Sequence, residues 1–408
     1  MPAARNAGAP RPLDDHALRW LLGLYLVSAL VIAVQRLQPP PEYNFLIFRA
    51  AFHHLSAGQS LYAAYPAEYA DYFKYSPTFA LLFAPFALLP LMPAYMLWAA
   101  LCAGVVFWGV TSLLPSRQAA LALAIAWLAV VGDLQRAQTN ALCAGLMILG
   151  WVAMERDRQW PAAIAIVAGA FVKLFPAAAL AGAVFHRRKG RLAIIAGTAI
   201  AIGALLPLLA TSWHSLMAQY HWWGEKLRED SVPMARYGTS GAGLYAGLMG
   251  QFRVWWGVQW PFWPTQLAGL AILLAPLLRG PRAWSPKFRV DFLASMLVFC
   301  VLFNHQAESP SYSIAMIGAA VWFAASERGW WRVALIAACF VIVDLASTDL
   351  MPHALYDGYY VRYLLKTVPL IPLWIVMQGE LWGWIGSGAR SEIPEAREVD
   401  PALAKPVA

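Results

Sequence analysis

Apolar runs approaching twenty residues recur along the chain from Trp20 to Gly386, and the short stretches between them carry most of its charge. A helix of about 20 residues spans the hydrocarbon core of a bilayer, and it satisfies its own backbone N–H and C=O groups where no water can do so. The pattern therefore predicts an all-α integral-membrane protein: one polytopic bundle over residues 20–386 with about 12 transmembrane helices. Of the 408 residues, 60% are apolar and only 13% charged. That is roughly half the charge density of a soluble chain and excludes a water-soluble globule. The 20 Trp, 16 Tyr and 19 Phe suit the many membrane–water interfaces of such a bundle.

The formal net charge of +8 is gathered in short clusters, at 186–191 and 279–289 for example, with no soluble basic domain between them. This excludes nucleic acid as a partner and reads as cytoplasmic loops. Arg5, Arg11 and Arg19 precede the first span, which has no small-residue cleavage site. Residues 1–19 are thus expected to form a cytoplasmic segment leading into an uncleaved helix. Residues 387–408 read as a disordered cytoplasmic tail. Loops 35–76, 211–240 and 304–311 then face the extracytoplasmic side. Residues 77–89 and 94–114 read as two apolar stretches, with Pro90 and Pro93 at the turn between them. One segment resists this alternation. For Arg156/Arg158 and Arg187/Arg188 all to face inward, residues 160–185 must turn back near Lys173; a single broken span would put Arg156 and Arg158 outside. Cys102, Cys143, Cys300 and Cys339 all sit in apolar runs without metal or disulfide spacing, and read as packing residues.

Polar residues are too many and too specific for a plain loop in the first outer segment. Asp71 and Lys74 are spaced to share a helical face and make an anion site at the membrane surface; the alternative is a snorkelling lysine beside a solvated aspartate. His305 and Glu308, at i and i+3, suit proton handling or sugar-hydroxyl binding on one helical face, or belong to a plain helix cap. Asp357 and Arg362, among Tyr356, Tyr359 and Tyr360, suit a sugar or lipid headgroup, or simply an interfacial belt. His53 and His54 have no third partner for a metal. With no Gly-rich nucleotide motif, Asp-x-Asp or His cluster, neither a cofactor nor a metal is expected.

The segment from Asn44 through Pro90, with FLIFRAAFHHLSAGQSLY and FKYSPTFALLFAPFALLP, resembles the first loop and second helix of glycosyltransferase family 87, integral-membrane enzymes of the GT-C superfamily. Further on, Gln138, Asn140, Lys173 and Pro176 are similar to that family's Gly-Gln-x-Asn helix start and Lys-x-x-Pro element. The resemblance implies a GT-C-like bundle with short extracytoplasmic loop helices in the bacterial plasma membrane. It implies a cell-envelope hexosyltransferase, mannosyltransferase-like, that takes its sugar from a polyprenyl phosphate and gives it to a lipid or glycan acceptor among the membrane lipids.

It also implies a carboxylate base in the first outer loop, where the family places Asp ahead of a Phe/Leu-x-x-Tyr stretch. This chain instead has Glu42-Tyr43-Asn44-Phe45. Glu42 or Asp71 takes the role, or catalysis is altered or lost. The substrate-binding candidates are Asn44, Lys74, Gln138, Asn140, Lys173, Arg236, His305, Glu308 and Arg362. Among them Lys74, Lys173, Arg236 and Arg362 are the cations for a departing phosphate. A secondary transporter would also be polytopic but should show two corresponding halves with interrupted segments, which are not found. A membrane scaffold would explain the missing aspartate.

Overall fold

The computed structural model describes residues 15–37, 43–231, 247–258 and 260–386, and their regular structure is helical with no strand. Glu42, Arg236, the tail from residue 387 and nearly all of the N-terminal segment lie outside the described residues. Among the described residues, six helices are long and apolar enough to cross a membrane: His16–Arg36, Leu91–Leu113, Ser116–Gln135, Lys189–Leu209, Phe262–Arg279 and Trp330–Ser347. His353–Val361 and Leu365–Trp382, bent by 70° to each other, add a seventh if counted as one span. These apolar helices mark an integral-membrane protein.

Helix α1 (His16–Arg36) starts on Asp15, whose carboxylate accepts the Ala17 N–H and satisfies one of the free donors of the first turn. After α2 (Tyr43–Ser56) the apolar stretch 77–89 forms no helix long enough to cross a membrane. That stretch is two short helices, α3 (Pro77–Leu82) and α4 (Ala84–Ala87). Ser76 accepts the Phe79 N–H at the start of α3 and donates to the Phe171 carbonyl. The next helix, α5 (Leu91–Leu113), begins at the same end of the bundle. Its Tyr95 hydroxyl donates to the Leu134 carbonyl, in the last turn of α6 (Ser116–Gln135), at 2.9 Å.

The resistant stretch 160–185 turns back. Helix α7 (Asn140–Glu155) is followed by α8 (Gln159–Val172), and Lys173 at the end of α8 donates to Asn140 at the start of α7. A 3₁₀ helix, Phe175–Phe185, then runs the other way and brings His186 to within 3.8 Å of Glu155 at the far end of α7. The three segments pack closely because Gly150 faces Ile166 and Gly182 faces the Trp151 ring, where a Cβ would meet atoms at 2.4 and 2.6 Å. With 77–89 kept at one end and 160–185 folded back, both arginine clusters share an end.

Helix α9 (Lys189–Leu205) leads to the amphipathic α10 (Trp213–Ser231) and to α11 (Leu248–Trp256). Then come α12 (Phe262–Leu274), α13 (Pro286–Leu302), α14 (Tyr312–Ala325) and α15 (Trp330–Cys339), the last continued by a wider π turn over Phe340–Asp344. The short α16 (His353–Leu355) and then α17 (Leu370–Trp382) complete the described chain. Every residue of α14 is buried, and the helix packs on both α13 and α6, so it joins the two halves.

The basic clusters meet at one end. Arg188 pairs with Asp157 at 2.9 Å, Arg289 with Glu155 at 3.3 Å, and Arg279 donates to the Leu381 carbonyl at 2.6 Å. Deeper in, Lys287 bonds both Asp291 oxygens, while Glu380 takes Arg332 and the Trp322 indole N–H. Charges this buried are tolerable only when each has its partner. The four cysteines are free and buried, as packing residues are.

Candidate functional site

At the opposite end, polar side chains from distant parts of the chain converge. Helix α6 is apolar from Ala119 to its last turn, where Asp133 is completely buried. Its carboxylate accepts the Ala141 N–H at 2.9 Å and the Asn140 side-chain amide at 2.8 Å. It thereby fills the free N–H positions at the start of α7, where the helix dipole also favours an anion. The Asn140 carbonyl oxygen in turn accepts from the Lys173 ammonium at 2.6 Å. Aspartate, amide and ammonium form one alternating chain in which the opposite charges compensate each other.

Lys173 also lies over the Tyr75 ring, 5.9 Å from its centroid. Tyr75 is set edge-on to Phe48 of α2 at 5.0 Å, with Thr139 beside its hydroxyl and Glu308 within electrostatic range. Ser313 flanks Asp133. On one side the Asn44 amide donates to the Arg136 carbonyl at 2.9 Å, which seats the start of α2 against the end of α6. On the other, Lys366 donates to Ser309 at 2.8 Å and lies over the Tyr312 ring at 5.1 Å. Lys366 also faces the Asp344 carboxylate and feels the Arg136 charge.

Of the residues singled out from sequence, Asn44, Asn140, Lys173 and Glu308 thus meet in one cluster. Gln138 is buried beside it, with its backbone N–H on the Asp133 carbonyl at 3.1 Å. Asp71 and Lys74 do pair, at 3.7 Å, but in an extended segment and not on a helical face. Asp71 also accepts the Tyr72 N–H, and Lys226 of α10 covers the Tyr72 ring at 4.5 Å, so this pair lies between the Tyr75 edge of the cluster and α10. His305 and Glu308 share no helical face either, because residues 304–307 form a turn. The His305 ring stacks on Phe262 at 5.2 Å, and its Nδ1 is 3.2 Å from Gln266. Glu308 heads the 3₁₀ turn Ser309–Ser311 without a side-chain cap bond. Arg362 lies over the Tyr363 ring at 5.6 Å. Glu42 and Arg236, as noted, are not among the described residues.

Reading the sequence missed Asp133, Tyr75, Asp344 and Lys366. The available signal was an ionisable side chain within or at the edge of an apolar run, which in a membrane protein marks function by default. Among the described residues no group of three or more His, Cys, Asp or Glu is placed to hold a metal ion. What the cluster offers is fixed cations, aligned dipoles and proton-bearing hydroxyls in a partly buried setting, where electrostatic stabilisation of an anion is stronger than in open water.

The family model for glycosyltransferase family 87 matches residues 73–304, more than half of the chain. The matched range contains Lys74, Tyr75, Asp133, Asn140 and Lys173, and it leaves out Glu42, Asp71, Glu308 and Lys366. No curated relative matches the chain.

Proposed function

The chain belongs to glycosyltransferase family 87, and from that premise we propose that it transfers a mannose-like hexose from a polyprenyl-phosphate sugar to a hydroxyl of a lipid or glycan acceptor. The reaction takes place at the extracytoplasmic face of the bacterial plasma membrane, in a GT-C-like bundle of about 12 crossings with both chain ends inside. The observation that carries this reading is the Asp133–Asn140–Lys173 chain. It sets a cation at the end of the bundle opposite the basic clusters, among residues drawn from distant parts of the chain. The positive-inside bias supports an outer location for that end.

In the proposed reaction an acceptor hydroxyl loses its proton to a carboxylate of the first outer loop, Asp71 or Glu42. Asp71 is held by Lys74 near Tyr75, and Glu42 precedes Asn44 by two residues. The acceptor oxygen bonds to the anomeric carbon from the face opposite the phosphate, and the carbon–oxygen bond to the phosphate breaks with inversion. The electron pair leaves on the polyprenyl phosphate, whose growing charge is met by Lys74, Lys173, Arg236 and Arg362, and by Lys366. Asn44, Gln138, Asn140, His305 and Glu308 bind sugar hydroxyls. Full-length protein in nanodiscs should transfer labelled hexose from polyprenyl-phosphate mannose or glucose to a lipid extract. Transfer from a nucleotide sugar alone, or from no donor, overturns the reading.

A further inference from the structure

Away from the cluster, on the face of α2 opposite its buried aromatic side, lies a cavity of about 440 Å³ lined in part by Arg49, His53, His54, Gln59, Glu68 and Tyr69. We infer that it binds a neutral sugar unit of the acceptor, away from the unit that reacts, so that the acceptor is an oligosaccharide; this rests on the proposed glycosyl transfer.

The lining favours a polyol over an anion. Arg49 already donates to the Phe86 and Leu89 carbonyls, at 2.6 and 2.8 Å, and the Glu68 carboxylate opposes negative charge. His54 is buried, stacked on Tyr65 at 3.8 Å, with Nε2 3.2 Å from Glu68. A proton on Nε2 suits that carboxylate and leaves Nδ1 as an acceptor. Nδ1 has no partner, and neither does the buried Tyr69 hydroxyl. Burial, reinforced by Glu68 and Tyr65, holds the Tyr69 phenol above its ordinary range, so it remains a donor. The hydroxyls of a sugar, each both donor and acceptor, can satisfy the two atoms, donating to Nδ1 and accepting from Tyr69. A fully ionised phosphate has no proton to give Nδ1. Glu68, with its side chain 47% exposed, stays on Nε2 and so keeps Nδ1 as the acceptor for the sugar.

Distance sets the length of the ligand. His54 is ten residues along α2 from Asn44, about 15 Å of helix rise, and Asn44 touches the cluster through Arg136. A ligand reaching from the cavity to the cluster must be several sugar rings long.

Titration of neutral mannose and glucose oligosaccharides, one to six units long, into the full-length protein in nanodiscs tests this. Binding should tighten with length, and Tyr69→Phe and His54→Gln should each weaken it about fivefold to tenfold. Tyr69→Phe keeps the ring and its packing, so it guards against a folding defect in the histidine variant. The inference falls if no oligosaccharide binds at millimolar concentration, if both variants bind as the wild type does, or if short-chain phosphatidylglycerol occupies the cavity instead. Binding without any transfer from a polyprenyl-phosphate sugar would support the cavity and remove the proposed function. Equal transfer to monosaccharide and oligosaccharide acceptors would support the function and remove the cavity's role.

Discussion

Lys173 and Asn140, 33 positions apart in sequence, are joined by a 2.6 Å hydrogen bond that ties the apex of a turned-back segment to the first residue of α7. Two problems are resolved by this one contact. The chain reverses where a charged side chain finds an acceptor, so the polar turn is not left unsatisfied among apolar helices. The same acceptor amide is held by Asp133, which leaves the ammonium little freedom to wander. Preorganisation of that kind is what electrostatic catalysis requires, since a fixed charge costs no reorganisation when substrate charge develops.

Asp133→Asn or Lys173→Met alone leaves a charge in the cluster without its counterpart. Each should cost on the order of 2 kcal/mol, read as a lowered Tm. The double variant should regain most of that stability while turnover stays down by about a hundredfold or more. Recovery of turnover together with Tm would show that the pair serves folding only.

The proposed base separates by substitution. One of Glu42→Gln and Asp71→Asn should lower turnover by at least about a hundredfold, the low end for loss of a general base, and the other by less. Near-normal transfer in both would remove the first outer loop from the proton step. It would turn attention to Glu308, a carboxylate outside that loop within electrostatic range of Tyr75.

Apolar runs made the helical class and six to seven candidate spans legible, because hydrocarbon thickness and backbone satisfaction leave a membrane chain few options. The apolarity of residues 77–89 reports burial within the protein, not a helix long enough to span. Phe79 and Phe83 bury their rings against Phe48 and Trp98, at 5.2 and 5.0 Å, inside the protein. His305 and Glu308 misled because Asn304 accepts the Gln306 N–H at 2.9 Å and closes a turn where a helical face was expected. Asn140 and Lys173 were visible through the family resemblance. Asp133 was not, because GDLQRAQT reads as a loop until its aspartate is seen to satisfy the start of the next helix.

Sidedness is open to labelling. The native cysteines are all buried, so a cysteine introduced on the surface should dominate the signal. Ala63→Cys, in the exposed first loop, should react with an impermeant maleimide on intact cells, and Arg328→Cys only after permeabilisation. The reverse pattern would put the cluster on the cytoplasmic face and refute the proposed location.

Lys74 tests the leaving group. Its side chain is 35% exposed and pairs with Asp71 at 3.7 Å, one residue from Tyr75 at the edge of the cluster. A lipid tail can lie along the apolar helices while its phosphate meets this ammonium at the interface. Lysine acts there as a point charge, so Lys74→Arg should keep part of the activity and Lys74→Met should lose most of it. If the cation answers charge that grows as the phosphate departs, the loss must appear in kcat, because an interaction equally strong before reaction would change KM alone. A Lys74→Met enzyme with unchanged kcat on a polyprenyl-phosphate sugar would reduce this lysine to a membrane-surface anchor and leave Lys173 and Lys366 to carry the phosphate.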